Sequence, residues 1–213
     1  MLDWMSNNNE VIDACIVGEP TNPDYLGQMI KIGRRGSFTG WLTVTGVQGH
    51  TAYPHLAENP LSKLVKMLEP LAEEQLDQGT EYFPPTTAAI SSIDTGNSAS
   101  NVIPQKVTAS FNIRFNDSRT AEDIEKWLRA HFDSVGGNYT LETACSSNAF
   151  ITEPGALSDD LVSAVKAVVG THPEMSTTGG TSDARFIRKF CPVIEFGVVG
   201  KTMHKLNEHV EAV

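Results

Sequence analysis

Residues 37–45 read Ser-Phe-Thr-Gly-Trp-Leu-Thr-Val-Thr and open the part of the chain that decides the fold. Phe38, Leu42 and Val44 fall on one face of this stretch, with a period of two that predicts a β-strand. Residues 107–115 show the same alternation more cleanly, with apolar side chains at every odd position. The two stretches therefore predict strands that have one apolar and one polar face.

The region around these strands shows alternating helix and strand patterns. Beyond the first strand come a helical repeat of leucines, a strand, a helix and a last strand, at residues 60–79, 86–94, 120–136 and 139–144. Pro70 predicts a kink or break in the first helix, and Thr120 with Asp123 predicts a capping box for the second. Residues 37–144 thus run β-α-β-β-α-β, which predicts a ferredoxin-like unit. Its open edge strand favours pairing with another chain.

The segments on either side predict a second, α/β part of the chain. Strands are expected at residues 11–17, 28–32 and 192–197, and helices at 157–169 and 184–190. Glu19 follows the first of these strands, at the edge of a sheet where ligands bind; the pattern alone favours a solvated turn glutamate over a site residue. Arg34 and Arg35 form either a clamp for a carboxylate or a solvated turn. The glycine-rich turn at residues 177–183 leads into a helix and favours an anion.

The loop Gly46–His55 places two histidines and a tyrosine between the first strand and the first helix. Loops held by rigid elements often carry function. A plain solvated connection explains the same pattern about equally well.

Composition narrows the class of protein. A net charge of −10 argues against nucleic acid as a partner, and no apolar run reaches the length of a membrane span. The N-terminal residues lack the pattern of a signal peptide. Cys15, Cys145 and Cys191 are few and far apart, which indicates reduced thiols and a cytoplasmic location.

Six motifs occur in an order typical of one enzyme family. They are Gly18-Glu19-Pro20-Thr21, Gly33-Arg34-Arg35-Gly36, Gly49-His50-Thr51-Ala52-Tyr53-Pro54-His55, Asn101-Val102-Ile103-Pro104, Gly179-Gly180-Thr181-Ser182-Asp183 and His204-x-x-Asn207-Glu208. With them the chain resembles the succinyl-diaminopimelate desuccinylases of the dizinc aminoacylase and carboxypeptidase superfamily. The resemblance implies hydrolysis of N-succinyl-LL-2,6-diaminopimelate, in lysine and cell-wall precursor synthesis.

The resemblance also implies a domain plan and partners. Residues 37–147 correspond to a dimerisation domain inserted into an α/β zinc-hydrolase catalytic domain, of which 1–36 and 148–213 are the remnants. The implied assembly is a homodimer formed through the insert. The implied cofactor is zinc, two ions per subunit in the complete enzyme.

Residue roles follow from the same resemblance. Glu19 matches a carboxylate ligand of one zinc and His204 the histidine ligand of the other. His50 matches a histidine that crosses the dimer and stabilises the oxyanion in the neighbouring active site. The positions that match residues holding the substrate carboxylates are Arg34, Tyr53, Asn101, Arg114, Gly180, Thr181 and Ser182. The remaining histidines, His55, His131, His172 and His209, are expected to be structural or solvated.

The chain departs from the family in its metal ligands. Family members also carry a His-x-Asp motif, a bridging Asp and a Glu-Glu pair, and the acids before Glu19 lie in no such motif. The expectation is a chain truncated at the N-terminus, and slightly at the C-terminus, with no appreciable hydrolase activity by itself. Two other readings stay open: a dimerisation module without chemistry, and a related deacylase such as an acetylornithine deacetylase.

Overall fold

The computed structural model describes residues 2–73 and 75–210; Met1 and 211–213, which the predicted flanking segments include, lie outside them. The helices are α1 Leu2–Asn7, α2 Pro60–Ala72, α3 Ala121–Val135, α4 Ala156–Val169 and α5 Ala184–Ile187, with a 3-10 turn at Pro54–Leu56. The strands are β1 Cys15–Val17, β2 Met29–Lys31, β3 Gly33–Arg34, β4 Gly36–Thr45, β5 Gly49–His50, β6 Thr87–Asp94, β7 Val102–Ile103, β8 Lys106–Phe115, β9 Asn138–Ser147, β10 Phe150–Ile151, β11 Glu174–Ser176 and β12 Val193–Glu195.

The chain divides into two compact units. The insert unit is Gly36–Asn148, and the flanking unit is Met1–Arg35 with Ala149–Val213. In the insert unit, the antiparallel sheet has the order β6-β8-β4-β9. Helices α2 and α3 pack on it and on each other. The predicted ferredoxin-like fold is therefore confirmed.

The core of the insert unit explains the alternation in its strands. Phe38, Leu42 and Val44 of β4 are buried, whereas Trp41 on the other face is 47% exposed. A Cβ atom at Gly40 would lie 2.3 Å from the Phe111 ring of the neighbouring strand β8. Glycine is therefore needed in the middle of β4 because the aromatic ring occupies the space of a side chain.

Helix α2 ends earlier than the leucine repeat predicts. The helix stops at Ala72, two residues after Pro70, so the predicted continuation to Gly79 is wrong and the predicted break is present. Proline has no N–H to donate to the carbonyl four residues earlier. Nε2 of His131, in α3, lies 3.0 Å from that Lys66 oxygen. A side chain of the neighbouring helix thus replaces the missing backbone donor.

The N-terminus of α3 follows the predicted pattern. The Thr120 hydroxyl accepts a hydrogen bond from the Asp123 backbone N–H, and the Asp123 carboxylate accepts one from the Thr120 backbone N–H. These bonds satisfy two backbone donors that the helix itself leaves open. The capping box is therefore confirmed.

In the flanking unit the sheet order is β1-β12-β2-β11. Strands β1 and β12 are parallel, β2 and β11 are parallel, and β12 meets β2 in antiparallel fashion. Val162 of α4 packs against Ile30, Ile32 and Ile194 in a small core. No helix among the described residues is long and apolar enough to cross a membrane.

Helix α5 is shorter than predicted. It ends at Ile187 instead of Phe190. The Lys189 and Phe190 N–H groups bond three residues back, whereas the Cys191 N–H bonds four residues back to Ile187 O. Pro192 disfavours the helical conformation at the residue before it. The segment after Ile187 therefore closes as tight turns.

Candidate functional site

The four strands of the larger sheet in the flanking unit end along one row. Val17, Glu195, Lys31 and Ser176 are each the last residue of a strand, and they are register partners in a row across the sheet. Because β12 and β2 are antiparallel, the segments that follow β1 and β12 leave this row in the direction opposite to those that follow β2 and β11. Glu19 follows the carboxyl end of β1, which is parallel to β12, the kind of position where ligands bind in α/β sheets.

A cleft of about 480 Å³ lies next to this row of residues and includes Lys31 in its lining. Its lining residues are Glu19, Pro20, Thr21, Asn22, Pro23, Lys31, Arg34, Gly179, Gly180, Thr181, Gly200, Met203 and His204. The sequence-predicted residues Glu19, Arg34, Gly180, Thr181 and His204 are therefore brought together. Their separation in sequence is bridged by the shared strand ends.

Arg34 is buried and hydrogen-bonded through three of its nitrogen atoms. It is 7% exposed, and its Nε and Nη2 donate to the carboxylate of Glu195, which is 1% exposed. Its Nη1 donates to the backbone oxygen of Thr178 over 3.2 Å. Of the two interpretations of this arginine, the solvated turn is wrong, because the guanidinium of Arg34 is buried and donates hydrogen bonds to the carboxylate of Glu195.

The glycine-rich segment is hydrogen-bonded to the same pair of side chains, Arg34 and Glu195. Ser182 Oγ donates to Glu195 Oε1, so the predicted site residue Ser182 is buried and points at Glu195. A Cβ atom at Gly179 would lie 2.3 Å from Arg34 Nη1, and φ at Gly179 is +105°. Gly179 is thus fixed both by its backbone conformation and by the guanidinium beside it.

Lys31 is a buried cation at the floor of the cleft. It is 6% exposed, and its Nζ donates to Thr178 Oγ1 over 2.7 Å and to Ser176 Oγ over 3.2 Å. Burial, followed by the nearby Arg34 charge, lowers the pKa of Lys31 to about 8, while Glu174 and Glu195 act in the opposite direction. The cleft lining therefore carries two cations, Lys31 and Arg34, and the carboxylate of Glu19, while the charge of Glu195 is buried against Arg34. The two cations form a region of the lining that favours an anionic group of a ligand.

Glu19 and His204 are the candidate metal ligands of the cleft. His204 is exposed and has φ of 61°, an uncommon conformation for a residue other than glycine. Among the described residues no three His, Cys, Asp or Glu side chains are grouped as a metal would require. Catalytic zinc sites use three protein ligands. The described residues thus offer Glu19 and His204 but fall short of a complete zinc site.

A second group of predicted residues lies in the insert unit. His50 in β5 pairs with Val102 in β7, and the Thr51 N–H donates to the Asn101 oxygen. The His50 and Tyr53 rings are 5.8 Å apart in an edge-on arrangement. His50, Tyr53 and Asn101 therefore belong to one exposed loop cluster.

The tautomer of His50 follows from its own loop. The Ala52 backbone N–H donates to His50 Nδ1 over 3.0 Å. In the neutral ring the proton must then be on Nε2, since an accepting nitrogen carries none. Nε2–H is the donor that an oxyanion would need.

Arg114 lies apart from this cluster. It is opposite Ser37 at the start of β4, while the His50 loop follows the far end of that strand. Eight residues of β4 span roughly 26 Å. The structure therefore does not bring Arg114 to the other predicted residues of its unit.

The sequence interpretation missed Lys31 and Glu195, which complete the charge pattern of the cleft. A usable signal was present for Glu195. It is a carboxylate at the end of an apolar run, Pro192-Val193-Ile194-Glu195, the same kind of position that singled out Glu19. Lys31 gave a weaker signal, because an isolated lysine in a strand has many solvated counterparts.

Comparisons with known proteins agree with this architecture. The peptidase dimerisation domain family matches residues 32–140. The chain is 59% identical to a succinyl-diaminopimelate desuccinylase of Rhodospirillum centenum, over 99% of this chain and 54% of that protein. It is 53% identical to the enzyme of the same name from Parvibaculum lavamentivorans, over 98% and 54%. The chain spans about half the length of the curated relatives it matches.

Solved structures share the fold at low identity. An M20 family metallo-carboxypeptidase from Sulfolobus solfataricus superposes with a TM-score of 0.74 at 16% identity, over 98% of this chain and 62% of that one. A tripeptidase from Staphylococcus aureus gives 0.72 at 19%, over 93% and 52%. Both units of the chain therefore have counterparts in folded metallopeptidase-like proteins.

Proposed function

Because this chain belongs to the peptidase dimerisation domain family and matches succinyl-diaminopimelate desuccinylases along its length, we propose that it is part of a zinc-dependent amidohydrolase. The proposed reaction splits the amide of N-succinyl-LL-2,6-diaminopimelate into succinate and LL-diaminopimelate. The observation that carries the proposal is the cleft in which Glu19, His204 and Arg34 meet.

In this proposal the cleft recognises a substrate carboxylate. Arg34 and Lys31 place positive charge at its floor, and charge-assisted hydrogen bonds to carboxylates are the strong ones. Gly179, Gly180 and Thr181 also line the cleft, and their backbone N–H groups are proposed as further donors. Tyr53, Asn101 and Arg114 belong to the other unit, and their contact with substrate carboxylates remains part of the proposal.

His50 is proposed to donate Nε2–H to the oxyanion in the active site of a partner copy. Donors aimed at the developing charge of an oxyanion are often the largest single contribution to acyl-transfer catalysis. The proposed assembly is a homodimer formed through the insert unit, which contains His50. Losing His50 should therefore reduce kcat far more than KM.

The metal requirement limits what the described residues can do. When bound, zinc would supply Lewis-acid activation, and Glu19 and His204 are proposed to contribute one ligand each. No group of three His, Cys, Asp or Glu side chains within residues 2–73 and 75–210 completes the site. We therefore expect no appreciable hydrolysis by the 213-residue polypeptide alone, and turnover with added zinc would contradict this.

Zinc titration tests the proposed ligands directly. His204→Asn should weaken zinc binding at least about tenfold, because it removes a proposed ligand, and loss of a group that merely orients a ligand already costs that much. His209→Asn is the matched control, because His209 is an exposed histidine of the same segment. Equal zinc affinity in the two variants would remove His204 from the site. Assaying the complete enzyme with succinylated diaminopimelate and with N-acetylornithine then separates the desuccinylase from the related deacetylase.

A dimerisation module without chemistry is the second candidate. The family match falls on residues 32–140, and the large core of the insert unit favours an independently stable module. This candidate requires little or no zinc binding by the chain. Stoichiometric zinc bound through His204 would exclude it.

A further inference from the structure

Glu195 is a buried carboxylate that receives several hydrogen bonds. Arg34 Nε lies 3.1 Å from Oε1 and 3.0 Å from Oε2, and Arg34 Nη2 also donates to Oε2. Ser182 Oγ donates to Oε1. At 1% exposure, an ionised carboxylate is stable only because these donors replace water.

The bonds to Glu195 restrict Arg34 to one orientation. A guanidinium has five N–H groups, and the contacts with Glu195 and Thr178 use three of them. The bond from Nη1 to the Thr178 oxygen also fixes the start of the glycine-rich segment. Arg34 still lines the cleft. Its remaining N–H groups are therefore part of a guanidinium that is already held in one orientation.

We propose that Glu195 is a positioning residue that fixes Arg34 and Ser182 for recognition of a substrate carboxylate. The carboxylate ligand rests on the proposed function, whereas the positioning of Arg34 does not. Glu195 itself touches no substrate in this scheme. Its two oxygens hold the fork of Arg34 on one side and the hydroxyl of Ser182 on the other.

Charge alone predicts the opposite effect on binding. Glu195 is an anion beside Lys31 and Arg34, so its neutralisation leaves the cleft floor more positive. A more positive floor attracts an anion more strongly. If Glu195 positions Arg34, its neutralisation weakens anion binding despite the added positive charge. The sign of the change therefore separates the two roles.

The test measures succinate binding to the 213-residue chain by calorimetry. Glu195→Gln keeps the shape but replaces one of the two acceptor oxygens with an NH2 donor, so it cannot accept from Arg34 and Ser182 at both ends, and we expect about tenfold weaker binding. Glu195→Asp keeps the charge and shortens the side chain, and it should also weaken binding. Glu174→Gln is the matched control, because Glu174 is exposed and acts on Lys31 without contacting Arg34; it should bind succinate as tightly as the unmodified chain or slightly more so.

A second readout needs no ligand. The Arg34 Nε proton should exchange slowly with water in the unmodified chain and at least tenfold faster in Glu195→Gln, with circular dichroism unchanged. Rapid exchange in the unmodified chain overturns the proposal, as does unchanged or tighter succinate binding by Glu195→Gln and Glu195→Asp. If the unmodified chain binds no succinate, the carboxylate site of the proposed function fails. The Arg34 proton alone then decides whether Glu195 positions it.

Discussion

Lys31 makes the stability of the flanking unit depend on pH. Its pKa is about 8 in the folded chain against 10.5 for the free side chain. Between these values the unfolded chain binds more protons, so the free energy of unfolding rises with pH in that window. The contribution is at most about 1.4 kcal/mol per pH unit. Below pH 8 both states are protonated and the penalty for burying the charge is constant.

Urea unfolding between pH 7 and 10.5 measures this effect. From about pH 8 upward, the unfolding free energy of the unmodified chain should rise relative to that of Lys31→Met. Lys189→Met, at an exposed lysine of the same unit, reports the general effect of removing one cation. A difference for Lys31→Met that stays flat through this range would mean that the Lys31 ammonium is not desolvated.

Gly179 and Gly180 are neighbours with different spatial demands. A Cβ atom at Gly179 would collide with Arg34 Nη1, and φ there is +105°, whereas the space at Gly180 is open. Gly179→Ala should lower the unfolding free energy by about 1–3 kcal/mol. Gly180→Ala serves as control and should change it by less than about 1 kcal/mol. Thermal unfolding of the two variants checks the contrast, and equal losses would contradict it.

Local sequence patterns identified individual residues only in part. Glu19 and Arg34 could be singled out because one follows an apolar strand and the other is an arginine between glycines. The partner of Arg34 could not, since Glu195 is 161 positions away and only the strand register brings the two together. Residue types therefore indicated the kind of chemistry, whereas the sheet topology was needed to identify the ion pair of Arg34 and Glu195.

At the scale of elements, Pro70 and His131 form a coupled pair. Proline leaves the Lys66 carbonyl without its helical donor, and His131 Nε2 lies 3.0 Å from that oxygen. His131→Ala should lower the unfolding free energy by about 1 kcal/mol. In a Pro70→Ala background the backbone N–H at position 70 can serve Lys66, so the same change should have a smaller effect.

A double-mutant cycle on these two positions measures the coupling. We expect a coupling free energy of about 0.5–1 kcal/mol between Pro70 and His131. Equal effects of His131→Ala in both backgrounds would show that the imidazole does not replace the missing donor.

Element types were easier to predict than element ends. The alternation at residues 107–115 and the capping box at Thr120 are local signals, and both correspond to elements at those positions. The ends of α2 and α5 depend on Pro70 and Pro192, whose effects compete with a favourable hydrophobic repeat. In α2 the remaining carbonyl is satisfied by another helix, which no local pattern reveals.

At the scale of the whole molecule, the order β-α-β-β-α-β was enough to predict the fold of the insert. In a ferredoxin-like unit, each strand of that order has defined neighbours in the sheet. The flanking unit was harder. Its strands are three residues long and come from distant parts of the chain. The row in which their last residues meet, and hence the cleft beside it, can be identified only once the register of the sheet is known.

The two units differ in how much apolar surface they bury. The insert unit has one large core built from β4, β6, β8, β9, α2 and α3, whereas the flanking unit has two small ones. Its edge strand β1 leaves Ile16 52% exposed. Ser37 and Ser147, near the two ends of the insert unit, are register partners. The ends of an excised insert would therefore lie close together.

We accordingly expect residues 36–148, expressed alone, to fold and unfold cooperatively, since a domain of this size with its own core can be independently stable. Amide signals of β4 and β8 should match those of the full chain. Limited proteolysis of the full chain should cut the flanking unit first, because it buries less apolar surface and opens at lower free energy. A nicked insert beside an intact flanking unit would reverse this order of stability, and an unfolded 36–148 polypeptide would show that the insert needs the rest of the chain.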